Sequence, residues 1–250
     1  LSSVVSPAGI TGLTIGDPVE AVNETVAQLP PETDLVIASI HEGAPDGNST
    51  GDEQAEASPN FHKMWTGIDS RVHVVLNGHT HQRYSWTNAK GQLFTQAGSY
   101  GTVINELRAG VTSAGTLCGV SNTAIEIDPG VADDSLPRIQ RISGIVSAAV
   151  ARADEIGTTV IGKATAAIST PTGNSDVRDV ESPMSNLVAQ MFHEVLGNGD
   201  PYFIGVQNPG GTRDSFDSGD ITYKEAALTL PFANTLLTTR LTGTQFKTVL

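Results

Sequence analysis

The sequence predicts an α/β fold, and three observations carry that reading. Two short apolar runs rich in β-branched residues, Leu35-Val36-Ile37-Ala38-Ser39-Ile40 and Val72 to Leu76, suit strands buried on both faces. Apolar residues at helical spacing lie before and between them. Each run stops just short of histidine, His41 after the first and Asn77-Gly78-His79-Thr80-His81 after the second. The carboxyl ends of strands are where α/β folds build their sites.

Taken in order, Asp17-Pro18 followed by Val19, Val22, Val26 and Leu29 predicts a helix with proline in its first turn, ended by Pro30-Pro31. The acidic, glycine-rich stretch from Glu42 to Ser58 predicts a loop, with a short helix around Phe61 to Trp65. Alternation and glycines from Gln92 to Arg108 predict strands and a turn, and Thr123 to Ile127 another strand. Asp133-Asp134-Ser135 is placed to cap a helix whose Ile139, Ile142, Val146, Val150 and Ala153 form an apolar stripe, read as core or interdomain packing. Thr158 to Ile168 and Tyr202 to Val206 are strand-like, and Ser182-Pro183 opens a further helix. The chain divides near residues 132–158.

Composition bounds what the chain can be. Among 250 residues of 26.1 kDa, 38% are hydrophobic, 26 are glycine and 13 proline, which allows a packed core and excludes disordered or collagen-like chains. No apolar run approaches the roughly 18 residues of a membrane-spanning helix. The net charge of −13, with 14 basic residues scattered from Lys63 to Lys247, speaks against a nucleic-acid polymer as partner, since that needs concentrated cations. The single cysteine, Cys118, excludes an internal disulfide and is expected to be a buried small hydrophobe. Five lysines against many Thr, Ser, Gly and Asn resemble the composition of secreted bacterial proteins.

The chemistry concentrates at two places. Imidazoles at His79 and His81 on a turn eased by Gly78, with His41 after its own strand, can face one metal centre or two adjacent ones. His62, His73 and His193 are read as structural. A hydrolytic two-metal site also uses carboxylates, and neither Glu42 nor Asp69 is well placed for that. The second place is Gln207-Asn208-Pro209-Gly210-Gly211-Thr212-Arg213. Its glycines let backbone approach a ligand, and Arg213 can fork onto a phosphate or carboxylate. Phe232 could stack on a flat ring and Asn234 bond its edge.

Together these residues resemble the 5′-nucleotidase family of two-domain metallophosphoesterases, which includes 2′,3′-cyclic-nucleotide phosphodiesterases. Val36 to Gly43 looks like the family's strand and histidine loop, Asn77 to His81 like its Gly-His-x-His motif, and Gln96 to Gly101 like the segment that follows. Arg178 with Asn186-Leu187, then Asn208 to Arg213, then Leu230 to Asn234, look like the start of its C-terminal domain. The resemblance implies residues 1–132 as the C-terminal part of a four-layer αββα metallophosphoesterase domain. Residues 133–157 would be a linking helix and 158–250 the N-terminal part of an α+β substrate-binding domain.

It further implies two divalent ions, zinc, manganese or iron, with His41 and His79 on one and His81 on the other. Arg178, Asn208, Gly210 and Arg213 would hold the substrate's anionic groups, and Phe232 and Asn234 its base. The implied reaction is metal-dependent hydrolysis of nucleotide phosphate esters by in-line attack, in an extracellular, periplasmic or cell-wall-associated protein. The family's Asp-x-His, Gly-Asp-x-x-Asp and Gly-Asn-His-Asp/Glu motifs do not occur in this sequence, nor does its later segment with a second stacking aromatic. The expectation is therefore an internal fragment with little turnover of its own, its catalytic residues lying upstream of Leu1. A non-catalytic nucleotide- or phosphate-binding module is the alternative, and a His-x-His hydrolase of amide bonds a third.

Overall fold

The computed structural model describes residues 10–131, 135–171 and 180–249. The chain forms two compact units, one of Thr14–Ala132 and one of Leu1–Leu13 with Asp133–Leu250.

In the first unit α1 (Pro18–Gln28) starts where predicted, because the Asp17 carboxylate accepts from the N–H groups of Val19 and Glu20, both at 3.0 Å. The same carboxylate takes a 2.6 Å bond from Lys63 Nζ. That bond, first among several, holds the Asp17 carboxyl below its ordinary 3.8, and in return raises Lys63 above 10.5. A depressed folded value means the Asp17 contribution is complete above 3.8 and is lost as pH falls through the lowered value. The raised Lys63 value means the opposite edge: its contribution is complete below 10.5 and fades as pH rises through the folded value. Asp17→Ala should lower the urea midpoint at neutral pH, and the gap to the parent should close on the acid side of 3.8. A gap of constant size across that range would refute the assignment.

Next come β1 (Ile37–Ile40), α2 (Gly51–Ala57), α3 (Pro59–Gly67), β2 (Val74–Asn77), β3 (Arg83–Thr87) and β4 (Leu93–Ala97). The stretch expected as loop contains α2, started by a reciprocal capping box between Thr50 and Glu53. The strands form one sheet in the order β1-β2-β4-β3, parallel except for edge strand β3. The β3–β4 turn is knotted by Asn88, whose buried amide donates to Trp65 O at 2.8 Å and Gln92 Oε1 at 2.9 Å. The aromatic face of α3 forms the centre of the core. Phe61 is fully buried, with ring centroids 5.6 Å from Trp65, 6.2 Å from Tyr84 and 6.1 Å from Phe94.

A two-stranded antiparallel ribbon, β5 (Val103–Val111) and β6 (Leu117–Glu126), follows. It is tied to β4 by Asn105 and Asn122, whose amides donate to Thr95 Oγ1 at 2.8 and 3.1 Å. Cys118 is exposed, against the expectation of a buried hydrophobe. Cys118 is the extra residue of a bulge, falling between Leu117, which pairs with Val111, and Gly119, which pairs with Gly110.

The second unit holds α4 (Pro137–Gly157), β7 (Val160–Ala164), α5 (Pro183–Leu196), β8 (Gly219–Thr222), α6 (Tyr223–Thr229) and α7 (Gly243–Val249). β7 pairs antiparallel with β8, and Ile168 bridges to Phe216. Helix α4 begins after Leu136 without a side-chain cap. The Asp133 and Asp134 of the expected cap lie outside the described residues. Its stripe is not core: Ile142, Val146 and Val150 are about half exposed, at 48, 54 and 47%. The Tyr202 to Val206 segment is not a strand, for a local reason. The chain reverses through Asn198 and Gly199 in left-handed conformation and runs against α5, where Phe203 O lies 2.7 Å from His193 Nδ1. The chain is thus mixed α/β, as its pattern predicts.

Candidate functional site

Parallel pairing sets the first candidate site. The register aligns Ile40 with Asn77, so the residues leaving β1 and β2 emerge side by side. Gly78 N–H and Asn77 Nδ2 both donate to Glu42 O, at 3.2 and 2.9 Å, which binds one loop to the other. His41 and His79 then meet edge to face with ring centroids 5.3 Å apart, both exposed at the strand ends. His81 is turned to Tyr100, 5.5 Å between rings.

The loops touch closely at two glycines, and at Gly43 the backbone of the neighbouring loop leaves no room for a side chain. A Cβ on Gly78 would lie 3.2 Å from His41 Nδ1, and one on Gly43 would lie 2.8 Å from Gly78 O, Thr80 Oγ1 and Gln96 Oε1. Behind the loop, Tyr84 Oη accepts the Ala44 N–H at 3.1 Å. Burial foremost, helped by the Glu42 charge and opposed by the Ala44 bond, pushes the Tyr84 phenol far up, so it remains a neutral anchor.

Two neighbouring imidazoles suit a borderline first-row cation, and Gly78 keeps the space beside His41 Nδ1 open. The donor set fits part of a coordination shell. Among the described residues no group of three or more His, Cys, Asp or Glu gathers to complete it. The buried Asn77 Oδ1, without a hydrogen-bond partner among those residues, is a further acceptor at this edge. Glu42 is engaged locally by Gly43 N–H at 3.0 Å, and Asp69 by Arg71 N–H at 2.8 Å.

The second candidate site is the loop after residue 207. Pro209–Gly211 form a single 3-10 turn, and a Cβ on Gly211 would lie 2.8 Å from the end of the Gln207 side chain, at Nε2. Arg213 is anchored by its N–H to Thr229 O at 2.9 Å. Its Nη1 donates to Gly210 O at 3.2 Å, and its guanidinium lies over the Phe232 ring at 5.8 Å. The structure therefore brings Gly210, Arg213 and Phe232 together. Phe232 is half exposed, Asn208 and Asn234 face solvent, and Arg178 lies outside the described residues.

One residue of consequence carried no expected role. Gln96, 2% exposed at the end of β4, donates from Nε2 to Thr80 Oγ1 at 2.9 Å and to Gln82 O at 2.8 Å. Its signal was a long amide in a strand-like run, at the same sheet edge as the histidines.

Comparison with known proteins bears on the same regions. Residues 160–250 match the family model described as the 5′-nucleotidase C-terminal domain, in line with the resemblance in the sequence. Endonuclease YhcR of Bacillus subtilis (strain 168) is 23% identical over 252 residues, which take in 100% of this chain and 19% of that protein. The crystal structure of a 5′-nucleotidase precursor from Thermus thermophilus superposes with a TM-score of 0.52 at 20% identity, covering 86% of this chain and 41% of that one. This second likeness is one of fold. The chain spans about a fifth of the curated relative's length and about two fifths of the solved structure.

Proposed function

We propose that the protein carrying this chain is a metal-dependent phosphoesterase that hydrolyses nucleotide phosphate esters. The observation that carries the reading is the Ile40–Asn77 register, which sets His41 and His79 ring to ring at the carboxyl edge of the sheet. In it, residues 1–132 belong to a four-layer metallophosphoesterase domain, 133–157 to a linking helix and 158–250 to a substrate-binding domain. His41 and His79 would hold one divalent ion and His81 a second; such ions activate water and neutralise charge developing on phosphoryl oxygens.

The chain's own residues do the rest. Gly78 and Gly43 admit the close loop packing that orients the imidazoles. Arg213, Gly210 and Asn208, with Arg178, hold the anionic groups of the substrate, and Phe232 and Asn234 hold its base. An acidic, lysine-poor chain points to an extracellular, periplasmic or cell-wall location, in keeping with the Thermus protein being named a precursor. Among the described residues no helix is long and apolar enough to cross a membrane.

The test is phosphate release by the full-length gene product from p-nitrophenyl phosphate and nucleoside 5′-, 3′- and 2′,3′-cyclic monophosphates, with and without chelator. Release that vanishes on chelation and returns with zinc or manganese is expected. No metal-dependent release from any substrate would leave the chain as a binding module. Because YhcR is named an endonuclease, single-stranded DNA belongs in the same assay. The charge of −13 without a basic cluster predicts that nucleotides are preferred over it. Phe232→Ala should raise KM for nucleotides roughly 5- to 150-fold, from about 1–3 kcal/mol of stacking, and leave p-nitrophenyl phosphate within about threefold. Equal effects on both would remove Phe232 from base recognition.

A further inference from the structure

We propose that Gln96 is the positioning residue of the histidine turn, holding His79 and His81 through two hydrogen bonds that only a carboxamide of this length can make. His79 and His81 both have left-handed backbone, φ 70° and 59°, on either side of Thr80. Residues other than glycine keep such a conformation only where their surroundings impose it. Within the turn, Thr80 N–H donates to Gly78 O at 2.8 Å and Gln82 Nε2 to Thr80 O at 3.4 Å.

Gln96 adds a constraint from inside the sheet. It sits on the innermost parallel pair, β2–β4, at the edge where β1 and β2 release their histidines. Both hydrogens of its Nε2 are used, one by Thr80 Oγ1 at 2.9 Å and one by Gln82 O at 2.8 Å. Its Oε1 lies 3.3 Å from the Thr80 hydroxyl. Gln82 O also accepts from Gly98 N–H at 2.9 Å, so the turn is fastened to the chain leaving β4 at a second point. Gln96 acts by fixing the backbone between the two imidazoles. A glutamate of the same shape cannot donate, and an asparagine is one methylene short.

The metal arm of the test rests on the reading of His41 and His79 as ligands; the other arm does not. In the metal-free 250-residue chain, 1H–15N spectra of the histidine rings are compared for the parent, Gln96→Met, Thr80→Val and Thr95→Val. Thr95 is the adjacent, equally buried residue, and its hydroxyl serves Tyr84 O and the ribbon rather than the turn. Thr95→Val therefore reports general loosening of β4. Gln96→Met and Thr80→Val should displace the His79 and His81 signals and leave His62 in place, whereas Thr95→Val should leave all three. Unmoved His79 and His81 signals in Thr80→Val, a partly exposed position that spares the core, would overturn the inference even if Gln96→Met failed to fold. So would movement as large in Thr95→Val. Titration with cobalt(II) should then show binding at His41 and His79 in the parent, and about tenfold weaker binding in Gln96→Met. Parent rings indifferent to cobalt would defeat the metal reading alone, with Gln96 still decided by the metal-free spectra.

Discussion

His79→Gly in the full-length gene product should lower kcat/KM for metal-dependent phosphate release by more than about 100-fold, with bound metal falling in parallel. The scale follows from what lesser changes do: losing a group that merely orients a ligand costs about 10–100-fold in affinity or activity, and here the donor itself goes. Glycine is the informative replacement. His79 has φ 70°, a conformation that glycine enters freely, so the substitution relaxes the backbone while deleting the imidazole. The urea midpoint should therefore be unchanged or higher, which separates a lost ligand from a lost fold. The partner is His41, whose ring stands 5.3 Å away across Gly78. His41→Ala should reproduce the metal loss, and the double variant should add little if, as proposed, the two act on one ion. Metal content by plasma mass spectrometry equal to that of the parent in both single variants would end the assignment.

Phe61→Ala should destabilise the Thr14–Ala132 unit by about 3–5 kcal/mol, the usual cost of emptying a large aromatic from a core. Phe61 has no exposed surface and is ringed by Trp65, Tyr84, Trp86 and Phe94, with centroids 5.6 to 6.3 Å away. These neighbours belong to α3, β3 and β4, so the cavity would open between helix and sheet, where no single side chain can swing in to fill it. Since small domains are stable by roughly 5–15 kcal/mol, the variant should unfold early in urea, reported by Trp65 fluorescence. Phe232→Ala is the control in the other unit: half exposed, it should cost under about 0.5 kcal/mol. A loss below about 1 kcal/mol in Phe61→Ala would contradict the placement of the core.

Much of this was legible in short-range pattern. The β-branched runs before His41 and Asn77 announced β1 and β2, Asp17-Pro18 announced α1, and Ser182-Pro183 announced α5. Each rests on interactions within a few residues, where sequence and structure are nearly the same information. Helix α2 was equally local, through Thr50-x-x-Glu53, but its acidic, glycine-rich setting read as loop. Cys118 and the stripe of α4 misled for a different reason. An apolar side chain in a suitable period reports that it could be buried, and whether another element covers it is a matter of assembly.

The candidate sites divide along the same line. The sequence by itself determined which imidazoles, guanidiniums and rings were available, and that the histidines followed strands. Only the tertiary structure decided that β1 and β2 pair in parallel with Ile40 beside Asn77, which turns residues 38 apart in the chain, His41 and His79, into neighbours. It also decided that His81 faces Tyr100 and that Gln96, buried in the next strand, ties down the turn between them. Strand register is set by the packing of a whole face. A shift of one residue would send every one of those side chains to the other side of the sheet.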